Sequence, residues 1–170
     1  MKKIFLSALL FVVGCGGSYT NYNPNPGNGN GTSNTSEPMD GHWQVKSITC
    51  NGAAASAGVS SLYSSPNSWT MSFSGASGSF SLAGNAGSCV MTLPLSLVYS
   101  GTSISVSSNG VYSCAPANCN AGCGTHPSIA YTYTYTVNGS SATLQSQNNF
   151  DTVCSSAGQG NPPQYNLSKQ

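Results

Sequence analysis

From Ile129 to Val137 the chain alternates without a break: Ile129, Tyr131, Tyr133, Tyr135 and Val137 fall on one parity, and Thr132, Thr134 and Thr136 on the other. Only an extended backbone sorts such a pattern onto two faces, because side chains along a strand repeat every second residue. Asn138-Gly139 follows at once, the dipeptide best suited to a two-residue hairpin turn, and the chain returns through Ala142 and Leu144. A strand pair with one apolar face needs a cover, so the remainder of the chain has to supply further strands or helices.

It supplies strands. Trp43, Val45 and Ser47 share one face of a first strand, with Ile48 on the other side or past a bulge. Residues 51–61 are small and glycine-punctuated, a loop with room for one helical turn. Trp69, Met71 and Phe73 alternate with Ser and Thr before Gly75 to Gly78 turns the chain into Phe80 and Leu82. Val90 to Tyr99 keeps Leu93, Leu95, Leu97 and Tyr99 in one parity, and Pro94 marks an edge, a bulge or a strand start. Ser100-Gly101 leads into Ile104 and Val106, and Tyr165, Leu167 and Lys169 close the chain. No window carries a helical period. About eight such strands predict an all-β domain, a small antiparallel barrel or alternatively a sandwich.

The N-terminus has a different logic. Lys2 and Lys3 precede an apolar run from Ile4 to Val13, which is too short for a membrane span of roughly 20 residues and fits a removed secretory signal. Val12-Val13-Gly14-Cys15 resembles the lipobox of bacterial lipoproteins. The resemblance implies cleavage after Gly14, acylation of Cys15 (diacylglycerol on the thiol, a further chain such as palmitate on the amine) and attachment to the membrane. Gly16 after the cysteine implies outer-membrane sorting, the leaflet being left open. Several acyl chains on one residue make a lasting anchor where one chain is marginal. The alternative is an ordinary secretory signal with a chance cysteine. The expected organisation is a signal peptide over residues 1–14, a Gly/Asn/Pro/Ser tether over 15–39 and a β-domain over 40–170. The tether has too few apolar side chains to order itself.

Charge removes several partners. Charged residues form 4% of the chain, against about 25% in ordinary domains. Without residues 1–14, Lys46 and Lys169 stand against Glu37, Asp40 and Asp151. No basic patch exists to neutralise phosphates, so nucleic acid is not an expected partner.

Six cysteines remain after Cys15: Cys50, Cys89, Cys114, Cys119, Cys123 and Cys154. An even count in an exported chain predicts three disulfides, with fifteen pairings open. Cys50–Cys154 would join the two ends of the domain, and a further bond is expected within residues 114–123. Cys114, Cys119, Cys123 and His126 crowd into thirteen residues and offer a metal alternative, but not with paired Cys-x-x-Cys spacing. No metal or cofactor is expected.

Asp40-Gly41-His42-Trp43 resembles the Gly-x-Trp opening of lipocalins and related calycin barrels. Tyr99-Ser100-Gly101-Thr102, the Tyr-rich strand into a Gly hairpin and the closing Tyr-x-Leu-x-Lys strand follow a similar order. The resemblance covers residues 40–170 and makes Gly41 and Trp43 the fold motif. It implies a closed barrel binding a small hydrophobic or amphipathic ligand. Lipocalins carry an Arg over the tryptophan; only Lys169 can take a comparable place here. Gly87-Ser88-Cys89 with Tyr99-Ser100-Gly101 is loosely similar to the META-type domain of small bacterial heat-shock lipoproteins, a second candidate, with Val90 where that family prefers Asn.

Acid–base groups are scarce. His42 and His126 are the two histidines, no Gly-x-Ser-x-Gly elbow occurs, and a glycosidase pair would need Asp40 with Asp151, or Glu37. No catalytic site is expected. Tyr131, Tyr133 and Tyr135 are the candidate ligand-lining residues: inward, they form core or line a cavity; outward, they would suit glycan. The expected role is non-catalytic ligand binding in the envelope, or alternatively a packed, ligand-free structural or surface-interaction domain.

Overall fold

The computed structural model describes residues 36–84, 87–117, 119, 123–147, 151, 153–155, 158–159 and 162–170. Val12, Val13, Gly14, Cys15 and the tether to residue 35 lie outside the described residues.

Among the described residues eleven strands and one helical turn follow in order: β1 (Gly41–Cys50), β2 (Ala53–Ala54), α1 (Ala57–Ser60), β3 (Ser68–Ser74), β4 (Ser77–Gly84), β5 (Cys89–Ser100), β6 (Ser103–Ser108), β7 (Val111–Ala115), β8 (Gly124–Thr125), β9 (Ile129–Asn138), β10 (Ser141–Ser146) and β11 (Pro163–Lys169). Eight of them close an antiparallel barrel in the order β1-β3-β4-β5-β6-β9-β10-β11, with β11 pairing back onto β1. Each barrel strand lies beside its neighbour in that sequence order, an up-and-down meander. Closure leaves no free edge in the ring, which matters in a chain with so few lysines to guard one. Among the described residues no helix is long and apolar enough to cross a membrane.

The alternation read from sequence becomes the interior. Trp43, Val45, Met71, Phe73, Leu93, Leu95, Leu97, Ile104, Val106, Tyr133, Leu144, Tyr165 and Leu167 are all buried in one core. In β1 the inward parity shifts, because a bulge lies between Val45 and Ser47; Trp43 and Val45 precede it, and Ile48 and Cys50 resume the buried face after it. Pro94 also has its place. β6 and β7 both pair with β5, but in registers two residues apart (Ser107 with Ser96, Ser113 with Thr92). Asn109-Gly110 fills the break, and Pro94, which lacks an N–H, stands opposite it. Gly110 has φ +77°, and an added Cβ would lie 2.2 Å from the His126 carbonyl oxygen, so only glycine fits.

The two barrel ends differ. One, the turn end, carries the short hairpins at 74–77, 100–103 and 138–141. The chain enters there: Met39 is fully buried, and the Trp43 indole N–H donates to its carbonyl at 2.7 Å. Packing thus reaches back into the segment read as tether. Asp40 accepts from the backbone N–H groups of Glu37 and Gly75, both at 2.9 Å. Gly41, at φ +131°, passes so close to Lys169 that a Cβ would meet its Cε at 2.8 Å. The Lys169 ammonium in turn lies 5.4 Å from the Trp43 ring centroid.

The other, the loop end, carries residues 51–67 and the described residues of the connections 109–128 and 147–162. All three disulfides are there: Cys50–Cys154, Cys89–Cys119 and Cys114–Cys123. Hydrogen bonds add to them. Gln159 accepts from the Ser56 N–H at 2.7 Å and donates to the Ala54 carbonyl at 3.1 Å.

Candidate functional site

The loop end holds an apolar recess and, beside it, a buried carboxylate among tyrosines. Trp69 on β3 pairs with Leu82 on β4, which pairs with Met91 on β5, which pairs with Cys114 on β7. Trp69, Leu82 and Met91 of this row, with Phe80, Tyr112 and Leu62 from the turn after α1, line an apolar pocket of about 60 Å³. Leu62 and Met91 are buried, and the others are half-buried, so the recess opens toward the mouth.

Beside the pocket an aromatic layer crosses the barrel edge to face. Trp69 meets Tyr165 at 5.6 Å, Tyr165 meets Tyr133 at 6.1 Å, and Tyr133 meets Tyr131 at 6.3 Å. Asp151 lies against this layer, 4% exposed. One of its oxygens accepts from the Tyr165 hydroxyl at 2.8 Å and from the Tyr133 hydroxyl at 2.9 Å. Burial raises its carboxyl above the ordinary carboxylate range, while the two phenols and the Val153 N–H pull it back by bonding the charged form. The same burial, with the Asp151 charge close by, pushes Tyr131 up to about 12 and Tyr133 and Tyr165 well above the ordinary phenol value.

Tyr131, Tyr133 and Tyr135 therefore face inward. Tyr133 and Tyr135 are buried and Tyr131 is half-buried. They do not act as one lining: Tyr133 bonds Asp151, whereas the Tyr135 hydroxyl donates to the Gly101 carbonyl at 2.9 Å, at the turn end. Tyr112, Leu62 and Met91 were not singled out by sequence reasoning. Tyr112 had the signal of an isolated aromatic between Val111 and Cys114, but β7 is too short to show a period.

The carboxylates do not converge. Asp40 adjoins the start of β1, whereas Asp151 bonds Tyr165, which pairs with Ile48 seven residues along that strand. At about 3.3 Å per residue their levels differ by roughly 20 Å, beyond the ~9.5 Å limit for a glycosidase pair. His42 is exposed on the wall of β1, and His126 sits half-buried with its ring edge-on to Tyr112 at 5.2 Å. Cys114, Cys119 and Cys123 are close together but engaged in disulfides. No protein-family model, curated protein or solved structure matches the chain.

Proposed function

We propose that this chain is an outer-membrane lipoprotein, held by acylated Cys15, whose calycin-like barrel binds a small hydrophobic group at its disulfide-braced mouth without catalysis. The observation that carries the reading is the apolar pocket between Trp69, Leu82 and Met91, opening at the end of the barrel away from the chain's entry. Its volume of about 60 Å³ is well under the 300 Å³ at which whole drug-sized ligands begin to fit. The guest is thus the tip of a larger molecule, an acyl-chain end or a methyl-bearing ring. The Lys169–Trp43 contact, in the place where lipocalins use Arg, supports the calycin resemblance. The separation of Asp40 from Asp151 supports a role without acid–base chemistry.

The same small volume favours a second reading, a filled, ligand-free barrel with a structural or surface-interaction role. Native mass spectrometry of the delipidated protein from its own host decides between them. A co-purifying lipid-like mass that is lost on Leu82→Trp, which fills the pocket, supports binding; its absence supports the filled barrel. The anchor is tested apart from this: Cys15→Ser should move the protein to soluble fractions, and unchanged membrane retention would overturn lipidation.

A further inference from the structure

Two of the three bridges lie side by side. The Sγ atoms of Cys114, Cys119 and Cys123 all lie within 4.8 Å of one another, although Cys119 is bonded to Cys89 and the other two to each other. Cys89, bonded to Cys119, holds a fourth sulfur one bond away from that group. Four thiolates around a tetrahedral zinc ion, with Zn–S near 2.3 Å, stand about 3.8 Å apart. Cys119 already lies within 4.8 Å of both Cys114 and Cys123, and these two have only to part from bonding distance once reduced. We propose that, when these two bridges are reduced, Cys89, Cys114, Cys119 and Cys123 form a four-thiolate site for Zn²⁺.

Access selects these bridges over the third. Cys89 is 5% exposed, but its partner Cys119 and both Cys114 and Cys123 are half-buried, so each of these bridges has a reachable sulfur, whereas Cys50 and Cys154 are 2% and 0% exposed. Exchange requires a thiolate to reach a bridge sulfur, so an external dithiol attacks the adjacent pair first. Each bridge takes two electrons and two protons from one dithiol, which leaves as its own disulfide. Once one bridge opens, its freed thiolate lies beside the other and exchanges with it, and a second dithiol supplies the two electrons that reduce the bridge remaining. Zinc entry then displaces the four thiol protons. Cys50–Cys154, still closed, keeps Cys154 tied to the end of β1. The oxidised chain and the zinc-bound chain are alternative states of one cluster.

The test uses the full mature protein under limiting dithiothreitol, with alkylation and peptide mass mapping. Labelling of Cys89, Cys114, Cys119 and Cys123 ahead of Cys50 and Cys154 is expected. Anaerobic Co²⁺ should then give an intense tetrahedral, thiolate-to-cobalt spectrum at one ion per chain, bleached by equimolar Zn²⁺. Cys89→Ser/Cys119→Ser should lose that spectrum while near-UV circular dichroism from Trp43 and Trp69 shows the barrel intact. Simultaneous labelling of all six cysteines, or four free thiols with no tetrahedral cobalt spectrum, would overturn the proposal.

Discussion

Lys169, the last residue of β11, holds its ammonium 5.4 Å from the centroid of the Trp43 ring on β1. The contact spans the seam at which the first and last strands close the ring, where Trp43 pairs with Lys169 in register. An exposed cation over an indole contributes about 0.5–1 kcal/mol. Lys169→Met keeps most of the stem and removes the charge, so it should cost about that amount in urea denaturation, and Lys169→Arg should cost nothing. An equal loss when Trp43 is already Leu would show that the ring is not the partner.

The bridges should rank by the loop they close. Cys50–Cys154 spans 104 residues and Cys114–Cys123 spans nine. The chain-entropy relation gives about 4.7 kcal/mol for the first and about 2.6 kcal/mol for the second. Paired Cys→Ala variants measured by chemical denaturation should reproduce that order, and a costlier short bridge would contradict it.

Asp151 gives stability a pH slope. Its carboxyl is raised in the folded chain, so the native state holds the proton more tightly than the unfolded one. Stability is therefore highest below the ordinary carboxylate pKa of about 3.9 and falls as pH rises through the raised value. Asp151→Asn keeps an acceptor for the Tyr133 and Tyr165 hydroxyls and carries no charge. The variant should flatten this part of the profile, gaining on the parent at neutral pH. A parallel profile from denaturation at stepped pH would show that the carboxyl is not the source.

Two tyrosines at the turn end should respond in opposite directions to loss of the hydroxyl. The Tyr99 hydroxyl is buried with no hydrogen-bond partner among the described residues, while that of Tyr135 donates to Gly101. Tyr99→Phe should be neutral or stabilising by up to about 1 kcal/mol, and Tyr135→Phe should cost about 1 kcal/mol. Thermal unfolding of the two variants side by side checks the sign.

What the sequence made legible was local. The parity of Ile129 to Val137, the hairpin at Asn138-Gly139 and the choice offered for Ile48 each depend on a few adjacent residues. The barrel class followed from counting such segments. The functional end did not, because its parts come from distant stretches. Asp151 is a lone acid in an Asn-rich connection, and nothing nearby says that Tyr133 and Tyr165, 18 and 14 residues away, will bond it. β7 escaped notice because its Val111 is 42% exposed, which blurs the alternation. The adjacency of two bridges is a feature of folded loops, and cysteine spacing carries no trace of it.

The asymmetry of the barrel's ends has a mechanical consequence. Any pull delivered through the N-terminus arrives at Met39 and β1, where no sulfur links one strand to the next. Under that load the turn-end rim yields first, while the cross-linked rim, with its greasy notch and clustered sulfurs, sits at the far end of the barrel from the point of pull.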